Sequence, residues 1–144
     1  MDMSPKEYQE YVKKKAPASP LGKNMLFAFV IGGLICVLGQ AITNGFLSLG
    51  LEKTDAGTAT SISLVFLSAL TTGLNLYNSL ARFAGAGTLV PITGFANSVV
   101  SPAIDFKAEG LVTGMAVKMF TIAGPVIVFG TLASVLYGVV LMLF

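Results

Sequence analysis

Three stretches of the chain carry no charge over a length that a bilayer demands: residues 24–51, residues 56–81 and residues 119–144. At 1.5 Å per residue, about 20 helical residues cross a hydrocarbon core of ~30 Å, so each stretch is long enough to span. A fourth uncharged run, residues 83–104, is 22 residues long but is interrupted by Pro91, Gly94 and Pro102. A lipid-facing span has no use for such breaks, because an unpaired backbone group in hydrocarbon costs several kcal/mol unless protein buries it or it lines a polar cavity. The pattern therefore predicts an all-α integral membrane protein with three transmembrane helices plus a broken, re-entrant helical segment; the alternative is four spans. The division expected is a basic N-terminal segment, residues 1–23, and a single membrane domain, residues 24–144.

The polar positions inside these runs are periodic. In the first, Gly33, Cys36, Gln40 and Asn44 recur at i, i+3, i+7 and i+11, a small or polar stripe expected to face protein or water. In the second, Ser61, Ser68, Thr72 and Asn75 share a face that extends to Arg82. Two such faces imply a bundle interior. From Pro91 the spacing is again helical, with Thr93, Asn97 and Ser101 in a polar line beside Gly94; Ser101-Pro102 has the form of a new N-cap followed by Pro, which predicts a bend there. The last segment, residues 110–144, would be ~52 Å long as one helix, so it must tilt, kink or begin outside the lipid. Gly124-Pro125 is the candidate hinge. At the other end Ser4-Pro5-Lys6-Glu7 reads as a capping box opening a short helix, with Tyr8, Tyr11 and Val12 on one face and Lys13 to Lys15 behind it, before Pro17 and Pro20 stop the pattern.

Composition narrows the function. A mean hydropathy of +0.81 and 11% charge lie outside soluble norms, and a net charge of +2 is too small and dispersed for nucleic acid. The chain has no histidine and one cysteine, which removes the commonest general base and any intramolecular disulfide or thiolate metal site. No metal site, no cofactor and no enzyme activity are expected. Five Lys and Arg precede the first span and one follows it, which places the N-terminus in the cytoplasm by the positive-inside rule. Lys118 is the lone charge after Glu109, either a functional cation in an apolar segment or an amine snorkelling to the interface. Asp105 and Glu109, at i and i+4, are too little for catalysis without a nucleophile or base, and read as a solvated face.

The runs GGLICVLGQ (32–40), GAGTLVPITGFANSVVSPAIDFKAEG (85–110) and KMFTIAGPVIVFG (118–130) resemble the SpoVAC/SpoVAEb family of spore-former membrane proteins. The resemblance covers roughly residues 20–144. It implies an integral protein of the forespore and spore inner membrane working with other SpoVA proteins, SpoVAEb-like and SpoVAD-like, as a homo- or hetero-oligomer in the lipid bilayer. It further implies a part in moving dipicolinic acid, with Ca2+, into the spore and out again on germination. On that expectation the pathway lining is Thr93, Gly94, Asn97, Ser101 and Lys118, and the chain is a pore-forming subunit. The alternative is a non-conducting scaffold that assembles or stabilises the conducting subunits.

Overall fold

The computed structural model describes residues 4–16 and 20–143, and all regular structure in them is helical. Helix α1 (Pro5–Lys15) starts as a reciprocal capping box: the Ser4 amide donates to Glu7 Oε2 at 2.8 Å, and the Glu7 amide donates back to Ser4 Oγ at 3.4 Å. The Ser4 amide, and after it the Ser4 hydroxyl 2.8 Å from the same Oε2, hold the Glu7 carboxyl below the usual glutamate range. The helix ends at Lys15 with Ala16 as its cap; Pro17 lies outside the described residues.

Helix α2 (Leu21–Ser48) is the longest uninterrupted apolar element, and α3 (Lys53–Gly73) returns beside it after a short polar connection containing Glu52. Their antiparallel register is fixed by two contacts. The Thr43 and Thr60 hydroxyls are 2.9 Å apart, and a Cβ on Gly39 would sit 3.4 Å from the Leu64 side chain. The face of α3 turned inward is a ladder at four-residue spacing: Ala56, Thr60, Leu64, Ser68 and Thr72 are all buried.

The second run does not continue as a single span to Ala81. It stops at Gly73, and Asn75 adopts the left-handed conformation at φ 58°, a state that Asn tolerates better than other non-glycine residues. Three short helices follow: α4 (Leu76–Ala84), α5 (Ala86–Leu89) and α6 (Ile92–Asp105). Between α4 and α5, Gly85 takes φ 49°. Helix α6 runs parallel to α3, since Ser68 bonds to Thr93 and, one turn on, Thr72 bonds to Asn97. Ser68 shares a small apolar recess with Ile35, near the midpoint of α2, so α6 begins at mid-depth and exits on the side where α2 starts. Its 14 residues give a length of ~21 Å, about half the ~40–45 Å thickness of a bilayer with its headgroups. Residues 74–105 thus form a re-entrant element.

The bend expected at Ser101-Pro102 is absent: Pro102 lies inside a continuous α6, and the chain turns later, at Phe106 and the 3-10 turn Lys107–Glu109. Proline forfeits one bond to the carbonyl of Ser98, but α6 packs against both α3 and the final helix, and that packing holds it straight enough to continue. The last span opens as a π-helical turn (Leu111–Ala116) and becomes α7 (Val117–Leu143). Gly114 lets this turn pack closely on the one before it, since a Cβ there would stand 2.7 Å from the Phe106 carbonyl oxygen. Pro125 sits inside α7, so the helix continues through the Gly124-Pro125 pair.

Three crossing helices and one re-entrant element are therefore the architecture. Glycine makes its closest approaches possible. A Cβ on Gly87 would stand 2.8 Å from Ala28 Cα, and one on Gly94 would press on the carbonyls of Thr88 and Leu89. Overpacking of this kind costs about 1–3 kcal/mol. Gly94→Ala should thus lower the thermal midpoint of the detergent-solubilised protein, whereas Gly57→Ala, where the added carbon meets nothing within 4 Å, should stay within ~0.5 kcal/mol of the parent.

Candidate functional site

The polar residues of the broken segment converge on one seam. The Ser68 hydroxyl donates to the Thr93 carbonyl at 2.6 Å, an oxygen near the free end of α6. Tyr77, buried on α4, donates to the Thr88 carbonyl at 2.8 Å and is hydrogen-bonded to the Thr93 hydroxyl at 2.9 Å. One turn further, the Thr72 hydroxyl lies 2.8 Å from Asn97 Oδ1 and 2.7 Å from the Ser68 carbonyl oxygen. These bonds tie the start of α6, the end of α5 and the buried face of α3 into one network. Among the described residues no buried side-chain nitrogen or oxygen lacks a partner.

The expected pathway line is therefore divided in two. Thr93, Gly94 and Asn97 are held in helix-to-helix contacts. Ser101 differs: it lines a polar cavity of about 230 Å³ with Thr72, Gly73, Asn75, Asn78, Ile104 and Asp105. The Asn78 amide donates to Asn75 Oδ1 at 3.2 Å, so this cavity presents amides, hydroxyls and one carboxylate where α3 ends and α4 begins.

Lys118 is not brought to that line. Its Nζ stands 4.5 Å from the centre of the Phe106 ring, a cation–π contact at the turn after α6. Asn97 lies nine residues before Phe106, ~13 Å along the helix axis. Arg82 likewise sits at the edge, beside Leu21 and Asn24 at the start of α2. Lys23, Arg82, Lys107 and Lys118 thus gather on the side where α2 begins, and Lys53 stands on the other.

The polar faces separate in the same way. Ser68 and Thr72 are buried between helices, Ser61 bonds to the Gly57 carbonyl of its own helix, and Asn75 is exposed at its left-handed turn. The stripe on α2 lies outside the helix contacts of a single chain. Gly33, Cys36, Gln40 and Asn44 point out of the chain, and α2 packs on α3 through the adjacent face of Gly39 and Thr43. The α2 glycines that approach another helix are Gly32, against Gly87 of α5, and Gly39, against Leu64 of α3, each one position away from the stripe.

Tyr77 and Thr88 are the residues the polar spacing did not single out. A tyrosine in a membrane segment needs a partner for its hydroxyl, which was the available signal; the partner, a carbonyl beside a proline break, is set by tertiary structure.

The model of the family described as SpoVAC/SpoVAEB sporulation membrane protein matches residues 24–140. The chain is 44% identical over 134 residues to "Stage V sporulation protein AC" of Bacillus subtilis (strain 168), a match that covers 92% of this chain and 89% of the relative. No solved structure matches it.

Replacing the Tyr77 ring oxygen tests the network directly. Tyr77→Phe strands the Thr88 carbonyl and the Thr93 hydroxyl, a loss of about 1–3 kcal/mol for buried groups left unpaired. Thr71→Val, whose hydroxyl only bonds back to carbonyls of its own helix, should cost less than half as much in the same unfolding measurement.

Proposed function

The chain belongs to the SpoVAC/SpoVAEB family of sporulation membrane proteins, and from that premise we propose that it is a subunit of the spore inner-membrane assembly that conducts dipicolinate, with Ca2+ as the accompanying ion. The observation that carries this reading is the re-entrant element: a half-length helix that begins at mid-depth and leads to a polar cavity lined by Ser101, Asn75, Asn78 and Asp105. Irregular backbone at membrane depth serves solute routes in other membrane proteins for a physical reason. It exposes dipoles and hydroxyls that a straight span hides.

The chemistry of the cavity suits the ion pair better than the anion alone. Dipicolinate is a flat dianion; amide and hydroxyl donors from Asn75, Asn78 and Ser101 can meet its carboxylates, and the Asp105 carboxylate can meet the cation. Because Thr93 and Asn97 are bonded within the chain, a single copy is closed, and the conducting route forms between chains or on release of the seam. SpoVAEb-like and SpoVAD-like proteins are the partners proposed. The gathering of Lys23, Arg82, Lys107 and Lys118 on one side favours a cytoplasmic N-terminus.

A scaffold is the second reading, and the hydrogen-bonded seam favours it: Thr72, Asn97 and Ser68 stabilise helix packing without a solute. Flux separates the two. Ser101→Leu fills the cavity, and if the barrier rises by about 1.4 kcal/mol, release of dipicolinate should slow about tenfold with normal amounts of all subunits in the membrane. A scaffold gives the opposite pattern, in which flux per assembled complex is unchanged by Ser101→Leu and only the abundance of the partner subunits falls.

A further inference from the structure

The outward-facing amides of α2 have no use inside the chain. Gln40 and Asn44 are exposed, and the Gln40 Nε2 donates to Asn44 Oδ1 at 2.9 Å. That single bond leaves Gln40 Oε1 as a free acceptor and the Asn44 Nδ2 as a free donor. Both residues lie within the uncharged run of residues 24–51, whose central ~20 residues fill the hydrocarbon core. Gln40 stands about 8 Å from the α2 midpoint, where free amide groups are costly and lipid offers them nothing, and Asn44 stands about 14 Å from it, at the edge of the core.

We propose that α2 of one chain pairs in parallel with α2 of a second copy through these amides. A twofold axis along the membrane normal brings each Asn44 Nδ2 toward the Gln40 Oε1 of the other copy. Two such bonds, with the one already present in each chain, close a ring that engages Gln40 Oε1 and one Asn44 N–H of each copy. The surface is complementary to itself, which is what an isologous interface requires. Below the ring the same face carries Cys36 and Gly33, small enough to let two backbones approach. Beside them runs an uncovered apolar groove of about 430 Å³, walled by Val90 and Pro91 of the re-entrant element and by Phe29. Phe29 is 81% exposed and Val90 83% exposed, and both are covered once a second α2 lies along the stripe.

Cys36 is the single cysteine in the chain and lies one turn from Gln40, so the unaltered protein carries its own cross-linking probe. Full-length protein in liposomes, oxidised with copper phenanthroline, should form a disulfide-linked dimer through Cys36. Cysteine moved to the other lipid face, in Cys36→Ser with Leu34→Cys, should not link. Gln40→Leu with Asn44→Leu should reduce the dimer about tenfold, the loss of two interhelical hydrogen bonds. The exchange Gln40→Asn with Asn44→Gln keeps both amides and should restore linking, which separates lost pairing from lost folding. The proposal is overturned by no Cys36 dimer, by equal linking from both faces, by linking that ignores the double leucine variant, or by a Cys36 that links only to a different subunit when one is co-reconstituted.

Discussion

The bond from Ser68 to the Thr93 carbonyl is the constraint on which the membrane domain rests. A half-length helix starting inside hydrocarbon brings with it first-turn amides that no preceding turn can satisfy, and a tip that other elements must hold in place. The Gly94 amide donates to the Pro91 carbonyl, and the Ser68 and Tyr77 hydroxyls, from α3 and α4, anchor the tip by bonding the Thr93 carbonyl, the Thr93 hydroxyl and the Thr88 carbonyl. Each of those hydroxyls is short or rigid, so the backbones must come close. Gly94 beneath the α5 carbonyls and Gly87 against Ala28 are what allow it. Hydrogen bonding at the tip and glycine packing around it are one arrangement, and neither is stable without the other.

Much of the fold was legible because the bilayer reduces the problem to length and charge. The spans, their number and the broken fourth run follow from uncharged stretches and from Pro91 and Gly94. The capping box of α1 follows from four consecutive residues. Orientation of side chains around each helix was less accessible. Helix α2 carries small or polar residues on two adjacent faces, and spacing alone did not show that α3 packs on Gly39 and Thr43 while Gln40 and Asn44 face out. The break at Asn75 was also hidden, since Leu74-Asn75 breaks the helix through the left-handed backbone of an ordinary residue. Pro102 misled for the converse reason: local chemistry favoured a new helix start, and packing on two neighbours outweighed it.

The candidate site divides in the same manner. That Thr93, Asn97 and Ser101 share a face could be read from four-residue spacing. What that face meets could not, because Ser68 and Thr72 stand 25 residues away in the chain. The meeting changes the meaning of the line, from exposed donors to a closed seam with one open end at Ser101. Lys118 illustrates how a charge in an apolar segment is resolved by geometry, its ammonium resting on the Phe106 ring at the turn and well away from the seam.

The re-entrant element enters and leaves on one face of the membrane, so it adds nothing to the count of crossings. Three crossings are an odd number, and the start of α2 and the end of α7 therefore open onto different compartments. A factor that grips the basic start of the chain and one that grips its apolar end never compete for space or meet each other in solution.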